Sequence, residues 1–240
     1  MAAAANPREN QLIDALPAAD YKRWQRSLEP VDLPLGDVLY EAGGVLKHVY
    51  FPTTAIISLL YVMANGASAE IAVVGKEGLV GISIFMGGES TPSRGLVQSA
   101  GSGFRIKADI IKQEFARSGP VLHLFLRYTQ ALITQMAQTA VCNRHHSLDQ
   151  QLCRWLLLSL DRLNGPELVM TQELIANMLG VRREGVTEGA LKLQKAGLIK
   201  YVRGRITILD RPGLSARSCE CYEVVKKEYD RLLPPRMKAI

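Results

Sequence analysis

The segment 171–208, TQELIANMLGVRREGVTEGALKLQKAGLIKYVRGRITI, constrains the fold more than any other part of the chain. Thr171 is a capping residue, and Leu174, Ile175, Met178 and Leu179 recur at helical spacing before Gly180, which suits a tight turn. A second helical pattern over 182–194 directs Val186, Ala190, Leu191 and Leu193 toward a core. It leaves Arg182, Arg183, Glu184, Thr187, Glu188 and Lys192 outside. Gly197 ends that helix, and 198–202 and 205–209 then read as strands joined by Arg203-Gly204.

Two short helices about a glycine turn, followed by a basic hairpin, predict a winged helix-turn-helix. The first residues of its second helix meet base edges in the major groove. Arginine there donates two hydrogen bonds to guanine, and glutamate accepts one from the cytosine amino group. Lys200, Arg203 and Arg205 of the wing are expected on phosphates, and Thr171 and Gln172 at the head of the first helix complete the expected DNA-facing set. Gly185 and Gly189 lie inside the expected reading helix, where each costs about 1 kcal/mol relative to alanine, so packing or DNA must firm it up.

Charge follows the same division. Residues 182–211 hold eight Lys/Arg against three Asp/Glu, a balance of +5 out of +6 for the whole chain, whereas residues 1–60 hold five against seven. A local basic excess is the footprint of a phosphate-facing surface.

A chain of 240 residues holds two small domains, and 48% hydrophobic with 22% charged residues is ordinary for a globular protein. No apolar run reaches eighteen residues, and MAAAANPREN lacks a signal-peptide core, so a cytoplasmic protein without a membrane partner is expected. Cys142, Cys153, Cys219 and Cys221 do not form two spaced zinc pairs, and free thiols with no metal are the expectation. Cys142 with His145 and His146 could donate to a metal only if a second pair converged on them in space. Cys219 and Cys221 near the tail are expected to be packed rather than redox-active.

Residues 12–28 carry helical periodicity. From Val31 to about Ile106 the segments shorten, with glycine, proline and Asn-Gly turns every eight to twelve residues, which suggests an antiparallel roll. Helical signals resume at Asp109. Pro120 opens a long helix to about Asn143, in which Leu122, Phe125, Thr129, Leu132, Met136, Thr139 and Asn143 alternate three and four apart. That stripe suits either packing on the β-domain or a two-stranded seam. Beside a DNA reader the seam is the expectation, because paired readers meet the two halves of a palindromic operator on double-stranded DNA. The polar segment 144–149 is expected to contain the hinge.

The order of β-roll, long helix, helix-turn-helix and wing over residues 12–211 resembles the cyclic-AMP receptor protein and Fnr family of bacterial transcription regulators. Arg183-Glu184-x-Val186 is similar to the Arg-Glu-Thr-Val that commonly opens that family's reading helix, and LPLGDVLYEAGG over 33–44 looks like its opening strands. The resemblance implies that Arg183 and Glu184 read bases and that RNA polymerase is a partner. Glu188 stands where the cyclic-AMP receptor protein has a third base-contacting arginine, so a different operator is expected.

At the family's effector pocket the resemblance gives Gly81, Ser83 and Arg94 from the β-domain and Thr134, Gln135 and Gln138 from the long helix. The carboxylate that holds ribose in cyclic-AMP-binding members is missing, and Met136 and Ala137 replace the hydroxyl residues that touch adenine. Cyclic AMP is therefore disfavoured, and no cofactor is required. The roll receives an unidentified, nucleotide-like signal or leaves DNA binding constitutive. Fnr-like iron–sulfur sensing is disfavoured because no cysteine precedes Cys142, and a structural role is expected for His48 rather than haem ligation.

The fold class expected is α+β: a cyclic-nucleotide-binding-like sensory roll (12–117), a dimerisation helix and hinge (118–147), a winged helix-turn-helix domain (148–215) and a helical tail (216–240). A homodimeric, sequence-specific transcription regulator follows. No phosphate loop, nucleophile elbow or zinc-helix signature argues for an enzyme, and His145-His146 beside Asp149 is the one cluster resembling catalytic parts. The alternative is a nucleotide-binding signalling module that acts through a protein partner.

Overall fold

The computed structural model describes residues 6–163 and 165–233. The chain opens with a 3-10 turn at Pro7–Glu9 and short helices α1 (Gln11–Asp14) and α2 (Ala18–Trp24). Asn10 starts α1 and fastens it to the roll. Its side-chain oxygen accepts from the Leu12 and Ile13 amides, and its Nδ2 donates to the carbonyls of Pro52 and Gly78. All four bonds are buried, so the short polar side chain caps a helix and closes a loop at once.

Seven antiparallel strands follow: β1 (Glu29–Leu33), β2 (Val38–Tyr40), β3 (His48–Pro52), β4 (Ile56–Val62), β5 (Ser68–Val74), β6 (Arg94–Ser99) and β7 (Gly101–Lys107). They form two sheets, ordered β1-β7-β3 and β2-β6-β4-β5. A 3-10 turn at Ile82–Ile84 lies between β5 and β6, opened by Gly81 in the left-handed region at φ 114°. The expected roll is present. Strands β1 and β7 were hidden in the sequence, β1 by Pro30 and β7 by Gly101 and Gly103. Both glycines are needed because a Cβ at either would lie 2.5–2.7 Å from backbone atoms of the Thr54-Ala55 or Phe51 segment.

Helix α3 (Ala108–Ala116) carries buried Glu114, which accepts from the Trp24 indole and pairs with Arg23 at 2.6 Å. Helix α4 (Pro120–His145) is 26 residues long and starts on proline, whose fixed φ suits the first turn. Its Phe125 joins Trp24, Phe51, Phe85 and Phe115 in one edge-packed aromatic cluster beneath the roll. Tyr128 donates to the Leu79 carbonyl at 2.7 Å.

The expected dimer seam on α4 needs correction. Phe125, Thr129, Leu132 and Thr139 are buried within the chain, and Met136 packs on the roll's core. A heptad period reports that a stripe is covered, and here the roll and the C-terminal helix cover it. The stripe left outside is Leu126, Gln130, Ile133, Ala137, Ala140 and Arg144, also four and three apart.

Ser147 caps α5 (Leu148–Leu160) through a reciprocal capping box with Gln150, which fixes the break at the expected hinge. The C-terminal domain continues with β8 (Glu167–Val169), α6 (Gln172–Leu179), α7 (Arg183–Lys195), β9 (Ile199–Val202) and β10 (Arg205–Ile208). Its sheet runs β8-β10-β9, and β8 is a third strand the sequence did not suggest. The chain continues with α8 (Arg211–Arg217) and α9 (Cys221–Leu232), of which α9 falls in the 216–240 tail. Residues 234–240 lie outside the described residues.

Helix α9 lies along α4, with Gln135 Nε2 3.1 Å from the Tyr229 hydroxyl. The C-terminal domain is also docked on the roll. Ile56, Leu60 and Val73 of β4 and β5 share a core with Trp155, Leu156 and Leu179. Polar bonds cross the same contact: Trp155 donates to Glu70 at 3.0 Å, Gln98 donates to Ser159 at 3.2 Å, and Arg162 pairs with Glu77 at 2.7 Å. Burial pushes the Glu70 carboxyl up to about 7, against the pull of its Ser58 bond, Arg154, Trp155 and Arg162. No helix among the described residues is long and apolar enough to cross a membrane.

Candidate nucleic-acid interface

Thr171 caps α6 by accepting from the Leu174 amide, and Gly180 ends it at φ 65°. Only three residues separate α6 from α7, so a left-handed turn is required there and glycine supplies it without a Cβ penalty. Arg182 takes the N-cap position of α7, one residue outside the helix, and Arg183 and Glu184 occupy its first turn. Val186, Ala190 and Leu193 face the core as expected.

Leu191 does not. It is 51% exposed and lines a cleft of about 370 Å³ together with Gln172, Arg183, Gln194, Tyr201 and Arg203. Residues one apart on a helix point about 100° apart, so Ala190 and Leu191 cannot both face inward on a narrow stripe.

The two glycines inside α7 answer to packing. A Cβ at Gly185 would stand 2.8 Å from Leu148 Cδ2, and one at Gly189 3.2 Å from Leu152 Cδ2. Their absence lets α7 lie close on α5. The helix gives up propensity and gains contact area, which holds its reading face at a fixed distance from the core.

On the outer face the side chains divide into free and engaged groups. Arg182, Arg183, Glu184, Lys200 and Arg203 are exposed, and none of them forms an ion pair among the described residues. Arg203 sits at the wing tip with φ 49°, followed by Gly204 at φ 78°, the paired left-handed geometry of a tight hairpin. Glu188 and Lys192 pair with each other at 2.8 Å one turn apart, and Arg205 lies 3.6 Å from Glu167 on β8. Thr187 donates to Gln172 Oε1 at 2.7 Å, tying the two helices together. The wing is braced behind this face by Tyr201, whose hydroxyl donates to the Met170 carbonyl at 2.8 Å.

This surface, cationic along one edge and attached to a rigid three-helix core, matches a known module. A model of the Crp-like helix-turn-helix domain family matches residues 150–217. Residues 150–217 are thus similar to a Crp-like helix-turn-helix domain.

The whole chain also has the Crp/Fnr fold. Residues covering 87% of it superpose on 98% of a protein from Eubacterium rectale assigned to the Crp/Fnr family of transcriptional regulators, with a TM-score of 0.68 and 21% identity. FixK2 from Bradyrhizobium japonicum matches 80% of the chain over 98% of its own length, with a TM-score of 0.67 and 14% identity. The c-di-GMP-responsive regulator CLP from Xanthomonas campestris matches 81% over its full length, at 0.64 and 14%. No curated protein matches the chain in sequence.

The residues expected at an effector pocket divide between internal contacts and buried groups without hydrogen bonds. Arg94 Nε lies 3.3 Å from Glu41 Oε2, an ion pair without hydrogen-bond alignment, since the same nitrogen is buried and makes no hydrogen bond. The Tyr40 ring presses on Gly95, where a Cβ would fall 2.4 Å from it, and its hydroxyl is 3.2 Å from Ser93 Oγ. Ser83 Oγ is buried without a partner. Thr134 donates to the Gln130 carbonyl, and Gln138 is half-buried on the same helix.

Gln135, expected in the effector set, is corrected to a structural role. It is 1% exposed, accepts from the Val73 amide, and donates to the Val73 carbonyl and Tyr229. These bonds satisfy a buried amide and stitch α4 to β5 and α9. His48 lies beside Tyr50 at the edge of the roll, and its ring is held below the ordinary histidine pKa, first by burial and then by Arg105.

Proposed function

We propose that the chain is a homodimeric, sequence-specific DNA-binding regulator whose α7 enters the major groove. The observation that carries this reading is Arg183 and Glu184, exposed and unpaired on the first turn of α7, beside the unpaired wing cations Lys200 and Arg203. The pair has the donor fork and the acceptor that distinguish guanine and cytosine, and the flanking cations suit phosphates. Thr171, Gln172 and Arg182 border the same cleft or helix end and support backbone contacts. Glu188, Lys192, Thr187 and Arg205 reach DNA by exchanging their present partners.

Dimerisation uses the outer stripe of α4, where Leu126 and Ile133 are 49% and 53% exposed. Its alternating spacing, with alanines at 137 and 140, suits close approach of a second α4. RNA polymerase remains the partner implied by resemblance to the family.

Specific DNA binding is independent of cyclic AMP in this reading. The internal hydrogen bonds of Gln135, with Tyr40 packed on Gly95, support it. A random-sequence selection with the full chain, followed by fluorescence anisotropy on the selected duplex with no ligand, cyclic AMP, cyclic GMP or cyclic di-GMP, tests the proposal. Selection of a palindrome bound without ligand is expected, and recovery of no consensus under any condition would refute sequence reading. Sedimentation of Ile133→Glu should show a monomer; an unchanged dimer would move the seam elsewhere.

A further inference from the structure

Four side chains that no DNA or effector role uses converge where α4 ends and α9 begins. Cys142 and His146 stand one helical turn apart at the end of α4, and Cys219 and Cys221 bracket the break between α8 and α9. Their ligand atoms all lie within 4.8 Å of one another. The sulfurs of Cys142 and Cys219 are 3.5 Å apart, and Cys221 Sγ is 3.6 Å from His146 Nδ1. A disulfide needs sulfurs about 2.05 Å apart, so 3.5 Å is a non-bonded separation. Tetrahedral zinc, with Zn–S of about 2.3 Å and Zn–N of about 2.0–2.1 Å, places its ligands about 3.5–3.8 Å from each other.

We propose that Cys142, His146, Cys219 and Cys221 form a zinc site that clips the C-terminal helix to the end of the dimerisation helix. Three soft thiolates and one imidazole are a donor set that selects zinc, and four ligands without an open position make the site structural. A cluster of several irons would need its ligand sulfurs spread more widely than this group allows.

Two further observations point to a cation. The first is the orientation of His146. Its Nε2 lies 3.3 Å from Glu220 Oε2, which favours the proton on that nitrogen, and its Nδ1 stands 3.6 Å from the Cys221 sulfur. A carboxylate on the far nitrogen is the usual support of a metal-bound histidine. Gln151 holds the backbone of the same turn, donating to the His146 carbonyl at 2.9 Å.

The second is Arg154, which is 3% exposed and acts electrostatically on Cys142. It donates to Thr139, its Nε has no hydrogen-bond partner, and no carboxylate among the described residues forms an ion pair with it. Glu70 acts on it electrostatically without contact, and a buried guanidinium with no ion pair is costly. Three thiolates and a neutral imidazole on a divalent ion carry one net negative charge, which offsets it.

The test is metal analysis of the full chain, purified under reductant without a histidine tag, with cobalt exchanged for zinc as a spectroscopic probe. Expected are about one zinc per chain and, with cobalt, the intense visible bands of a tetrahedral thiolate site. Cys219→Ser should change those bands, whereas Cys153→Ser, a buried thiol outside the cluster, should leave them unchanged. Glu220→Gln touches an exposed side chain and should keep the cobalt spectrum while weakening zinc affinity about 10- to 100-fold. Absence of stoichiometric metal with all four cysteines reactive to a thiol reagent would overturn the proposal. So would iron with acid-labile sulfide, or a Cys142–Cys219 disulfide in the unreduced protein.

Discussion

The outer edge of α7 with the wing and the roll around Arg94 use their charged groups in different ways. On α7 and the wing, Arg182, Arg183, Lys200 and Arg203 stand in solvent without carboxylate partners among the described residues, and the framework behind them is tightly packed. In the roll, Arg94 lies against Glu41 and Gln135 bonds to Val73 and Tyr229. The first surface keeps its cations free of internal partners, whereas the second ties up Gln135 and leaves Ser83 Oγ and Arg94 Nε buried without hydrogen bonds. A binding site in this fold is therefore recognised by which polar groups the chain leaves unspent, more than by which residue types it carries.

The contact between the two regions is the first place to break that comparison, and there the effect is largest. Arg162 is 4% exposed, pairs with Glu77, and donates to the Leu158 carbonyl. Arg162→Ala leaves the Glu77 carboxylate, 15% exposed, without its cation and should cost on the order of 3 kcal/mol in chemical denaturation. A loss under about 1 kcal/mol would mean the domains are not docked this way in solution.

Glu70, in the same contact, makes the docking pH-dependent. Its folded pKa of about 7 is above the ordinary carboxylate value of 4.5, so the folded state holds its proton longer than the unfolded state. Its stability contribution is thus fully present below about pH 4.5 and is lost as pH rises to about 7, on the order of 3 kcal/mol. Protonation also resolves the local bonding. Glu70 can then donate to Ser58, leaving the Ser58 proton for the Gln98 carbonyl. Glu70→Gln should flatten the stability profile between pH 5 and 7, and an unaltered slope would assign it to other groups.

Smaller effects separate phosphate contact from base reading. Lys200→Ala should weaken operator and random duplexes alike and lower the salt slope of log K by about 1. A loss confined to the operator would place Lys200 on a base instead. Arg94→Ala, by contrast, should leave DNA affinity within about twofold, because an ion pair this exposed contributes about 1 kcal/mol or less.

The sequence revealed local structure and hid what depends on distant partners. Thr171, Gly180, Gly197 and Arg203-Gly204 act within a few residues, and the helix-turn-helix was legible from them. The period of α4 was legible too, but which stripe would be covered depended on α9 and the roll, so the seam was misplaced. Gly185 and Gly189 read as weaknesses until Leu148 and Leu152 were seen beneath them. The cysteine cluster could not be read from spacing, because Cys142 and Cys219 are 77 residues apart and meet only after α9 folds back. Gln135 has the chemistry of a ligand contact, and its burial against β5 assigned it otherwise.

The central claim is that the unspent groups at the start of α7 read sequence. Its most direct test is fluorescence anisotropy of the wild-type chain and Arg183→Ala on the selected operator and on a shuffled duplex at one salt concentration. The account predicts a loss of about 1–3 kcal/mol on the operator, relaxed preference at one base pair, and little change on the shuffled DNA. Equal losses on both duplexes would contradict it, leaving Arg183 as one more phosphate contact.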